Sequence, residues 1–258
     1  MNIHVEDIGT GDPVVLAHAG VTDSRVWDLT VPALLEAGYR AIRYDAPGYG
    51  RSPLPSEPYS FVRLAIDVMD AAGVETAHWV GLSGGAATGV DLALVEPSRV
   101  RTLSLVAPGI SGYDWPRYER RDAMEAAFEA GDRAGLAVEV LRRWGPMSLD
   151  AQGNVIDEPA SRTLLEQADW FIGDVDYEIE EPSAVDRLSE IAVPTLIVLG
   201  DRDEYTITDI GNLYAAGIPG SRVVTLAGAD HLLPLRVPGE LNALLLEHFA
   251  APAANRPS

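Results

Sequence analysis

The sequence contains no cysteine and no lysine among its 258 residues, so its 19 cationic side chains are all arginines. The absence of cysteine excludes disulfides, thiolate metal sites, Fe–S clusters and cysteine nucleophiles. The absence of lysine excludes Schiff-base chemistry and the lysine of a P-loop. A chain without cysteine is compatible with a reducing cytosol, and we predict a cytoplasmic protein.

Positive charge is scarce, since 19 arginines stand against 39 acidic residues and the net charge is −20 at pH 7. DNA, RNA and anionic membrane surfaces would repel such a chain, so we predict neither a nucleic-acid nor a membrane partner. Long apolar runs are missing too, because the longest, such as Pro194–Leu199, have only the length of a strand. The acidic N-terminus also lacks the cations and apolar run of a secretory signal.

Hydrophobic residues make up 47% of the chain, which is enough for a sizeable core in one domain. Short β-branched runs alternate with helical patterns, and this alternation indicates an α/β protein with a mostly parallel sheet flanked by helices. The alternation stops over residues 109–186, a segment with two or three helical patterns and eight of the 18 aromatic residues. We predict that 1–108 and 187–250 form the core, that 109–186 is a helical lid, and that 251–258 is a C-terminal tail.

The strongest chemical signal is the G-x-S-x-G pattern at Gly81–Gly85, which contains Ser83. The pattern lies between a predicted strand, Ala77–Leu82, and a predicted helix, Gly84–Val95, where small neighbours allow a sharp turn. On such a turn the serine hydroxyl stands at the helix N-terminus, and the Gly84 amide faces a developing oxyanion. We therefore predict that Ser83 is a nucleophile and that Gly84 is an oxyanion donor.

A serine nucleophile needs a base, and the sequence offers five histidines. His231 follows the last predicted strand, in a loop at the carboxyl edge of the sheet, where parallel sheets place their sites. His231 is therefore the predicted base, whereas His18 ends a strand and is a structural candidate. The other three lie at the wrong edge of the sheet or within an element: His4, His78 and His248.

The acid of the predicted triad must hold the imidazole in the correct tautomer. Asp203 directly follows the buried strand pattern Pro194–Leu199 and precedes His231 in the chain, so we predict that it is this acid. Asp201 and Asp230 compete with it. Asp201 would shape the turn after the strand, and the side chain of Asp230, next to His231, would project away from the ring.

The chain order Ser83, Asp203, His231 resembles the order of the α/β-hydrolase fold family. The chain is similar to lidded, cofactor-free serine hydrolases of the esterase and lactonase type, through most of its length apart from the lid and tail. The resemblance implies an α/β-hydrolase fold of about seven to eight strands, with the helical lid inserted after the sixth strand. Members usually have two antiparallel strands before the strand that ends at His18, and here there is room for one clear strand.

The resemblance also implies the second oxyanion donor. The family's first loop usually reads His-Gly-x, and this chain has His18-Ala19-Gly20, which places the donor amide at Gly20 and an alanine where glycine is usual. The loop Asp45–Ser52 is similar to the family's D-x-x-G-x-G-x-S loop. Family members of this type need no metal and no cofactor, and we expect none here.

These features predict a serine hydrolase that cleaves a small or medium neutral ester or lactone through an acyl-enzyme on Ser83. The lid aromatics favour an apolar substrate pocket, with Trp115, Trp144 and Trp170 as its candidate walls. The 18 acids against eight arginines from Gly109 to Arg187 disfavour anionic substrates. An acidic cluster in this segment is interpreted as a solvated face: Asp174, Asp176, Glu178, Glu180 and Glu181.

Several alternatives stay open at this point. Thioester hydrolysis, carbon–carbon bond hydrolysis and perhydrolysis are compatible with the same triad. A lyase, isomerase or cyclase acting on a natural-product skeleton, and a ligand receptor that retains the triad, belong to other classes. Ser83 argues against haloalkane dehalogenases and epoxide hydrolases, whose family members use aspartate at this position. The sequence does not indicate an oligomeric state.

Overall fold

The fold is built on one seven-stranded sheet, in a computed structural model that describes residues 2–167 and 177–250. The strand order is β1-β3-β2-β4-β5-β6-β7. The strands are β1 (Val5–Ile8), β2 (Pro13–Ala17), β3 (Arg40–Tyr44), β4 (Ala77–Leu82), β5 (Val100–Val106), β6 (Thr195–Gly200) and β7 (Arg222–Leu226). β1 pairs antiparallel with β3, and the other neighbouring pairs are parallel. The predicted mostly parallel sheet is thereby confirmed.

The helices alternate with the strands, as the sequence pattern indicates. In the described residues they are α1 (Val31–Glu36), α2 (Phe61–Ala71), α3 (Gly84–Val95), α4 (Arg121–Glu129), α5 (Arg133–Trp144), α6 (Pro159–Glu166), α7 (Tyr205–Gly217), α8 (Leu233–Arg236) and α9 (Pro238–Ala250). None of these helices is long and apolar enough to cross a membrane.

One helix expected from the sequence is divided in the structure. The pattern over Arg25–Glu36 predicts a single helix, but the chain forms a short 3₁₀ turn at Ser24–Trp27 and begins α1 only at Val31. Pro32 explains the break, because proline has no N–H and its ring clashes with the carbonyl four residues earlier. Proline is tolerated in the first turn of a helix, and there it lies in α1.

The core sits on both faces of the central strands. Every residue of β4 and of β6 is buried, as expected of parallel strands covered on two sides. The outer strands β1 and β7 are mostly exposed or half-buried, since each has a neighbour on one side only. Ser83 and Asp203 follow the carboxyl ends of the buried strands β4 and β6, whereas His231 follows the outer strand β7.

The inserted segment, residues 107–194, joins β5 to β6 and contains α4, α5 and α6. We expected it after the sixth strand, but it follows the fifth, because a single antiparallel strand precedes β2 in this chain. Its helices share a small apolar cluster with Leu232 of the core: Leu136, Val140, Leu141, Ala160 and Leu164. The cluster joins this segment to the residue that follows His231. The boundaries of the lid at 109 and 186 stay a prediction.

Candidate active site

Ser83 lies on the turn between β4 and α3 in a backbone conformation that is unusual for a residue with a side chain. Its φ is +54° and its ψ is −113°. The strain is held by backbone hydrogen bonds, since Ser83 N donates to Val106 O at 3.0 Å and Gly109 N donates to Ser83 O at 3.1 Å. Such a strained strand-to-helix turn is what exposes a nucleophilic serine at the end of a sheet.

Two glycines around Ser83 make this turn possible because other chain segments pass very close to them. A Cβ atom on Gly81 would lie 2.1 Å from Gly85 O, and one on Gly85 would lie 2.4 Å from Ala17 O. Both distances are shorter than any real contact, so neither position accepts a side chain. The glycines of the G-x-S-x-G pattern thus serve the close approach of α3 to β2 and to the end of β4.

His231 lies in the loop after β7, where it contacts the carboxylate of Asp203. Its Nδ1 is 2.9 Å from Oδ2 and 3.2 Å from Oδ1 of Asp203, and both side chains are 1% exposed. An ionised carboxylate only accepts hydrogen bonds, so the proton of the neutral ring belongs on Nδ1. Nε2 then carries the lone pair that a base requires.

The two competing aspartates have other partners. Asp201 Oδ1 accepts hydrogen bonds from the amides of Gly228 at 2.7 Å and Ala229 at 3.3 Å, so it shapes the turn that precedes His231. Asp230 is fully buried and pairs with Arg236, at 3.0 Å from its Nε and 3.0 Å from its Nη2. Among the hydrogen bonds of the described residues, only Asp203 of the three receives one from the His231 ring.

His18 is placed as a structural residue. Its Nδ1 donates to Ala19 O at 2.8 Å, and its Nε2 accepts from the amide of Ala46 at 3.0 Å. Burial lowers the pKa of His18 below its ordinary value, which favours the neutral ring that these two bonds require. Both ring nitrogens are occupied, so this histidine holds the loop at Ala19 against the loop at Ala46.

The backbone amides of Gly20 and Gly84 are adjacent. A Cβ atom on Gly84 would lie 3.8 Å from the Gly20 nitrogen. Within the described residues neither amide donates to a protein acceptor, and Gly84 is the first residue of α3, where helical amides lack intrahelical partners. Two free amides side by side at a helix N-terminus can stabilise a developing negative charge.

One cavity of about 700 Å³ is lined by Ser83, Gly20, Gly84 and His231. No hydrogen bond joins the Ser83 hydroxyl to His231 within the described part of the chain. Such bonds are often long in ligand-free sites and shorten when substrate is bound, and rotation about one side-chain torsion moves a serine hydroxyl. The cavity thus brings the predicted nucleophile, base and oxyanion donors together around a space large enough for a small molecule.

Aromatic residues of the inserted segment form one wall of the cavity. The ring of Trp144 lies 4.6 Å from that of His231, centroid to centroid, and Trp115 stands 6.3 Å beyond Trp144. Trp115 and Trp144 both line the cavity, whereas Trp170 lies outside the described residues, and their role as walls of a substrate pocket stays a prediction. Trp144 and Val21 also border an apolar groove of about 540 Å³ between α4 and α5. The rest of its lining is mostly apolar, with two glutamates: Met124, Phe128, Leu136, Val140, Glu125 and Glu129.

Acidic residues also line this cavity. Glu178, Glu180 and Glu181 line the cavity at Ser83, so part of the cluster interpreted as a solvated face borders the candidate site. Glu178 and Glu180 are exposed, so they are both solvated and adjacent to the cavity. Asp174 and Asp176 lie outside the described residues. The acidic spacing alone could not reveal this position, because it depends on how the chain returns from the inserted segment.

A smaller cavity of about 230 Å³ adjoins the cavity at Ser83, and Gly20 and Gly84 line both of them. Asp91 of α3 lines it and accepts a hydrogen bond from the Ser111 hydroxyl at 2.5 Å. Burial is the main cause of a pKa of about 6 for Asp91, and this net value includes a lowering by the Ser111 hydrogen bond and a smaller raising by the charge of Glu181. Neither Asp91 nor Ser111 is predicted from the sequence. Ser111 could have been found, since it follows the carboxyl end of β5, the strand beside Ser83.

Several known proteins that are similar to this chain are hydrolases, in agreement with the geometry of the candidate site. A model of the alpha/beta hydrolase family matches residues 14–244. Rhodomycin D methylesterase DauP of Streptomyces sp. strain C5 is 30% identical over 279 residues, with 94% of each chain covered. A 2-hydroxy-6-oxo-6-phenylhexa-2,4-dienoate hydrolase of Comamonas testosteroni is 26% identical over 259 residues, covering 95% of this chain and 90% of that one.

Among solved structures, Est816, described as an N-acyl homoserine lactone degrading enzyme, superposes with a TM-score of 0.74. It is 26% identical, and the match covers 94% of this chain and 95% of the Est816 chain. The similarity therefore extends over nearly the whole length of each of these proteins. All three relatives are described as catalysts of bond cleavage, two of them on ester or lactone compounds and one on a dienoate.

Proposed function

The chain belongs to the alpha/beta hydrolase family and is an ester-hydrolase-like enzyme, and we propose that it cleaves a small or medium neutral ester or lactone through an acyl-enzyme on Ser83. One observation carries the proposal. The strained Ser83 shares a cavity with His231, and the Nδ1 of His231 is bonded to Asp203. A positioned serine and an oriented base are what acyl transfer by a hydroxyl requires.

In the first half of the reaction, Ser83 Oγ attacks the carbonyl carbon while His231 Nε2 takes the hydroxyl proton. The negative charge that forms on the carbonyl oxygen is held by the amides of Gly20 and Gly84. Asp203 stabilises the imidazolium without taking its proton. The C–O bond to the leaving group then breaks, and the leaving oxygen takes the proton from His231, which yields an alcohol and the Ser83 acyl-enzyme.

In the second half, His231 removes a proton from water, and the water oxygen attacks the acyl carbon. The same two amides hold the second oxyanion. The bond to Ser83 Oγ breaks as His231 returns the proton to it, and the carboxylic acid product leaves. With a lactone the alcohol and the acid are parts of one molecule, so the product is a single hydroxy acid.

The walls of the cavity support a neutral substrate with an apolar part. The apolar groove next to Trp144 offers a place for an alkyl or ring substituent away from water. Glu178 and Glu181 line the cavity at Ser83, where they would repel a carboxylate on the substrate. The named methylesterase and lactone-degrading relatives make neutral esters and lactones the first compounds to test.

A panel of chromogenic acyl esters from acetate to octanoate, with alkyl lactones assayed by titration of the released acid, tests the proposal. We expect turnover of at least one ester or lactone by the wild type and its loss in Ser83→Ala. Absence of Ser83-dependent turnover across the panel would contradict the proposal. That result would favour the non-hydrolytic alternatives, a lyase or cyclase or a receptor that retains the triad.

Carbon–carbon bond hydrolysis is the second candidate, because a dienoate hydrolase is among the relatives. The acidic residues that line the cavity disfavour it, since the substrate after which that relative is named is itself a carboxylate. A 2-hydroxy-6-oxo-dienoate should therefore be turned over more slowly than a neutral ester. Faster turnover of the dienoate would reverse this ranking.

A further inference from the structure

Arg236 is a buried cation five residues after His231, at the end of α8. Its side chain is 8% exposed, and that of its partner Asp230 is fully buried. Arg236 donates Nε to Oδ1 and Nη2 to Oδ2 of Asp230, each at 3.0 Å. The pairing is bidentate, which is the strongest and most directional arrangement of a guanidinium with a carboxylate.

The inserted segment supplies the remaining partners of this ion pair. Arg236 Nη1 donates to Glu158 Oε1 at 2.6 Å, and Nη2 also donates to Ser148 Oγ at 2.6 Å. The backbone amide of Met147 donates to Asp230 Oδ2 at 3.1 Å. Buried charges are stable only when all their hydrogen-bonding groups are satisfied. The ion pair therefore depends on the inserted segment as well as on the loop of His231.

The consequence for His231 follows from its place in the chain. Asp230 directly precedes it, and Asp230 Oδ1 also accepts from the amide of Leu232, which directly follows it, at 3.2 Å. The backbone on both sides of His231 is thus fixed by one carboxylate. Asp203 sets the orientation of the ring, and Trp144 packs against the ring 4.6 Å away.

Two other loops of the site contact the inserted segment in the same way. Gln167 donates to Oδ2 of the buried Asp23 at 2.8 Å, three residues after Gly20. Arg143 donates its Nε to Oε2 of Glu204, the residue after Asp203, at 3.1 Å. The loops that carry Gly20, Asp203 and His231 are therefore each bonded to the inserted segment within three residues of that site residue.

We propose that Asp230 and Arg236 are positioning residues, which hold the base His231 in place by bonding its loop to the inserted segment. The inference rests on the proposed function for the role of His231. In this view the inserted segment is part of the catalytic framework and not only a cover over the substrate. Neither residue needs to contact the substrate.

Asp230→Asn tests the inference because it keeps the shape of the side chain and removes its charge. We expect kcat on a minimal acetate ester, per mole of folded enzyme, to fall by about 10–100-fold while KM changes little, since a small displacement of a catalytic group has effects of this size. Arg236→Lys keeps the charge but loses the bidentate contact, so its kcat should also be lower than that of the wild type. Arg222→Gln, which breaks an exposed ion pair with Glu247, is the control and should leave kcat unchanged.

Ser148→Ala is the milder variant to use where Asp230→Asn does not fold, because it removes one acceptor of Arg236 and leaves the bidentate pair. Its kcat should fall in the same direction with an unchanged KM. A lower melting temperature with wild-type kcat in the folded variants would overturn the inference, since that is the outcome for a purely structural ion pair.

A second measurement does not depend on turnover. The His231 Nδ1 proton, bonded to Asp203, should give a low-field proton NMR line that is absent in His231→Ala. We expect Asp230→Asn to shift or broaden this line and Arg222→Gln to leave it as in the wild type. An unchanged line in Asp230→Asn would overturn the positioning role. A shifted line in a protein whose wild type has no Ser83-dependent turnover would instead mean that the proposed function is wrong and the positioning role stands.

Discussion

Nδ1 of His231 lies 2.9 Å from Oδ2 of Asp203, although 28 residues of sequence separate them. The contact is possible because β6 and β7 are parallel neighbours, so the loops after their carboxyl ends meet at one edge of the sheet. Both side chains are 1% exposed, and a bond between a neutral imidazole and a buried carboxylate fixes the tautomer of the ring. Three catalytic proposals depend on this contact: the role of each partner and the reactivity of Ser83.

The first prediction concerns the acid. Asp203→Asn should lower turnover by about 10³–10⁴ at neutral pH, because an amide of the same shape selects the wrong tautomer of His231. Asp201→Asn is the matched control and should have a far smaller effect, since within the described residues the Asp201 side chain bonds backbone amides after β7 and not the His231 ring. Steady-state rates on one ester decide the assignment. Nearly normal turnover in Asp203→Asn together with strongly reduced turnover in Asp201→Asn would mean that the acid is misassigned.

The second prediction concerns the aromatic wall. Trp144→Ala and Trp115→Ala should change the preference among acyl chain lengths, because both side chains line the cavity and Trp144 also borders the apolar groove. One methylene group in an apolar pocket is worth roughly 1–3 kcal/mol, so tenfold changes between chain lengths are expected.

The check on this prediction is the ratio of kcat/KM for acetate, butyrate and octanoate esters in each variant. Val95→Ala, at an exposed position near the end of α3, serves as the control and should keep the wild-type profile. If both tryptophan variants also keep it, the aromatic residues pack the inserted segment without contacting substrate.

Much of this arrangement could be predicted from the sequence. Ser83, Asp203 and His231 each follow the carboxyl end of a predicted strand, and parallel strands bring such ends together. The partners of Arg236 could not be predicted, because Glu158 lies 78 residues earlier and local periodicity carries no information on contacts of that range. The break in the helix before Val31 was visible in principle, since Pro32 is a local signal that the helical pattern outweighed.

The third prediction concerns stability against pH. Burial raises the pKa of Asp91 from its ordinary value of 3.8 to about 6, so the folded protein keeps a proton that the unfolded chain releases in this range. Asp91 therefore destabilises the fold progressively as the pH rises from about 4 to above 6, by about 2–3 kcal/mol at the upper end. Asp91→Asn removes this effect while keeping an acceptor for Ser111.

Thermal melts at pH 4 and pH 8 measure the effect. Asp91→Asn should melt several degrees above the wild type at pH 8 and close to it at pH 4. Asp67→Asn, which changes an exposed carboxylate of α2, should show no such difference between the two pH values. An equal melting-temperature change at both pH values would mean that Asp91 is not protonated in the folded protein.

The fourth prediction concerns metal ions. The proposed steps use only a serine, a histidine, an aspartate and two backbone amides, so exhaustive dialysis against a chelator should leave kcat unchanged. The assay compares dialysed enzyme with dialysed enzyme to which Mg²⁺, Ca²⁺ or Zn²⁺ has been returned. Activity that is lost on dialysis and restored by one of these ions would require a metal in the mechanism.

The acyl-enzyme on Ser83 is the central claim, and its mass is the most direct measurement of it. The enzyme is mixed with an activated ester, quenched in acid within the first turnovers, digested with trypsin and examined by mass spectrometry. Because the chain has no lysine, cleavage at Arg63 and Arg99 releases residues 64–99 as one peptide that contains Ser83. We predict that this peptide gains the mass of the acyl group in the wild type and that it gains nothing in Ser83→Ala. Turnover of the ester with no mass gain on Ser83, or an equal gain in Ser83→Ala, would contradict the account.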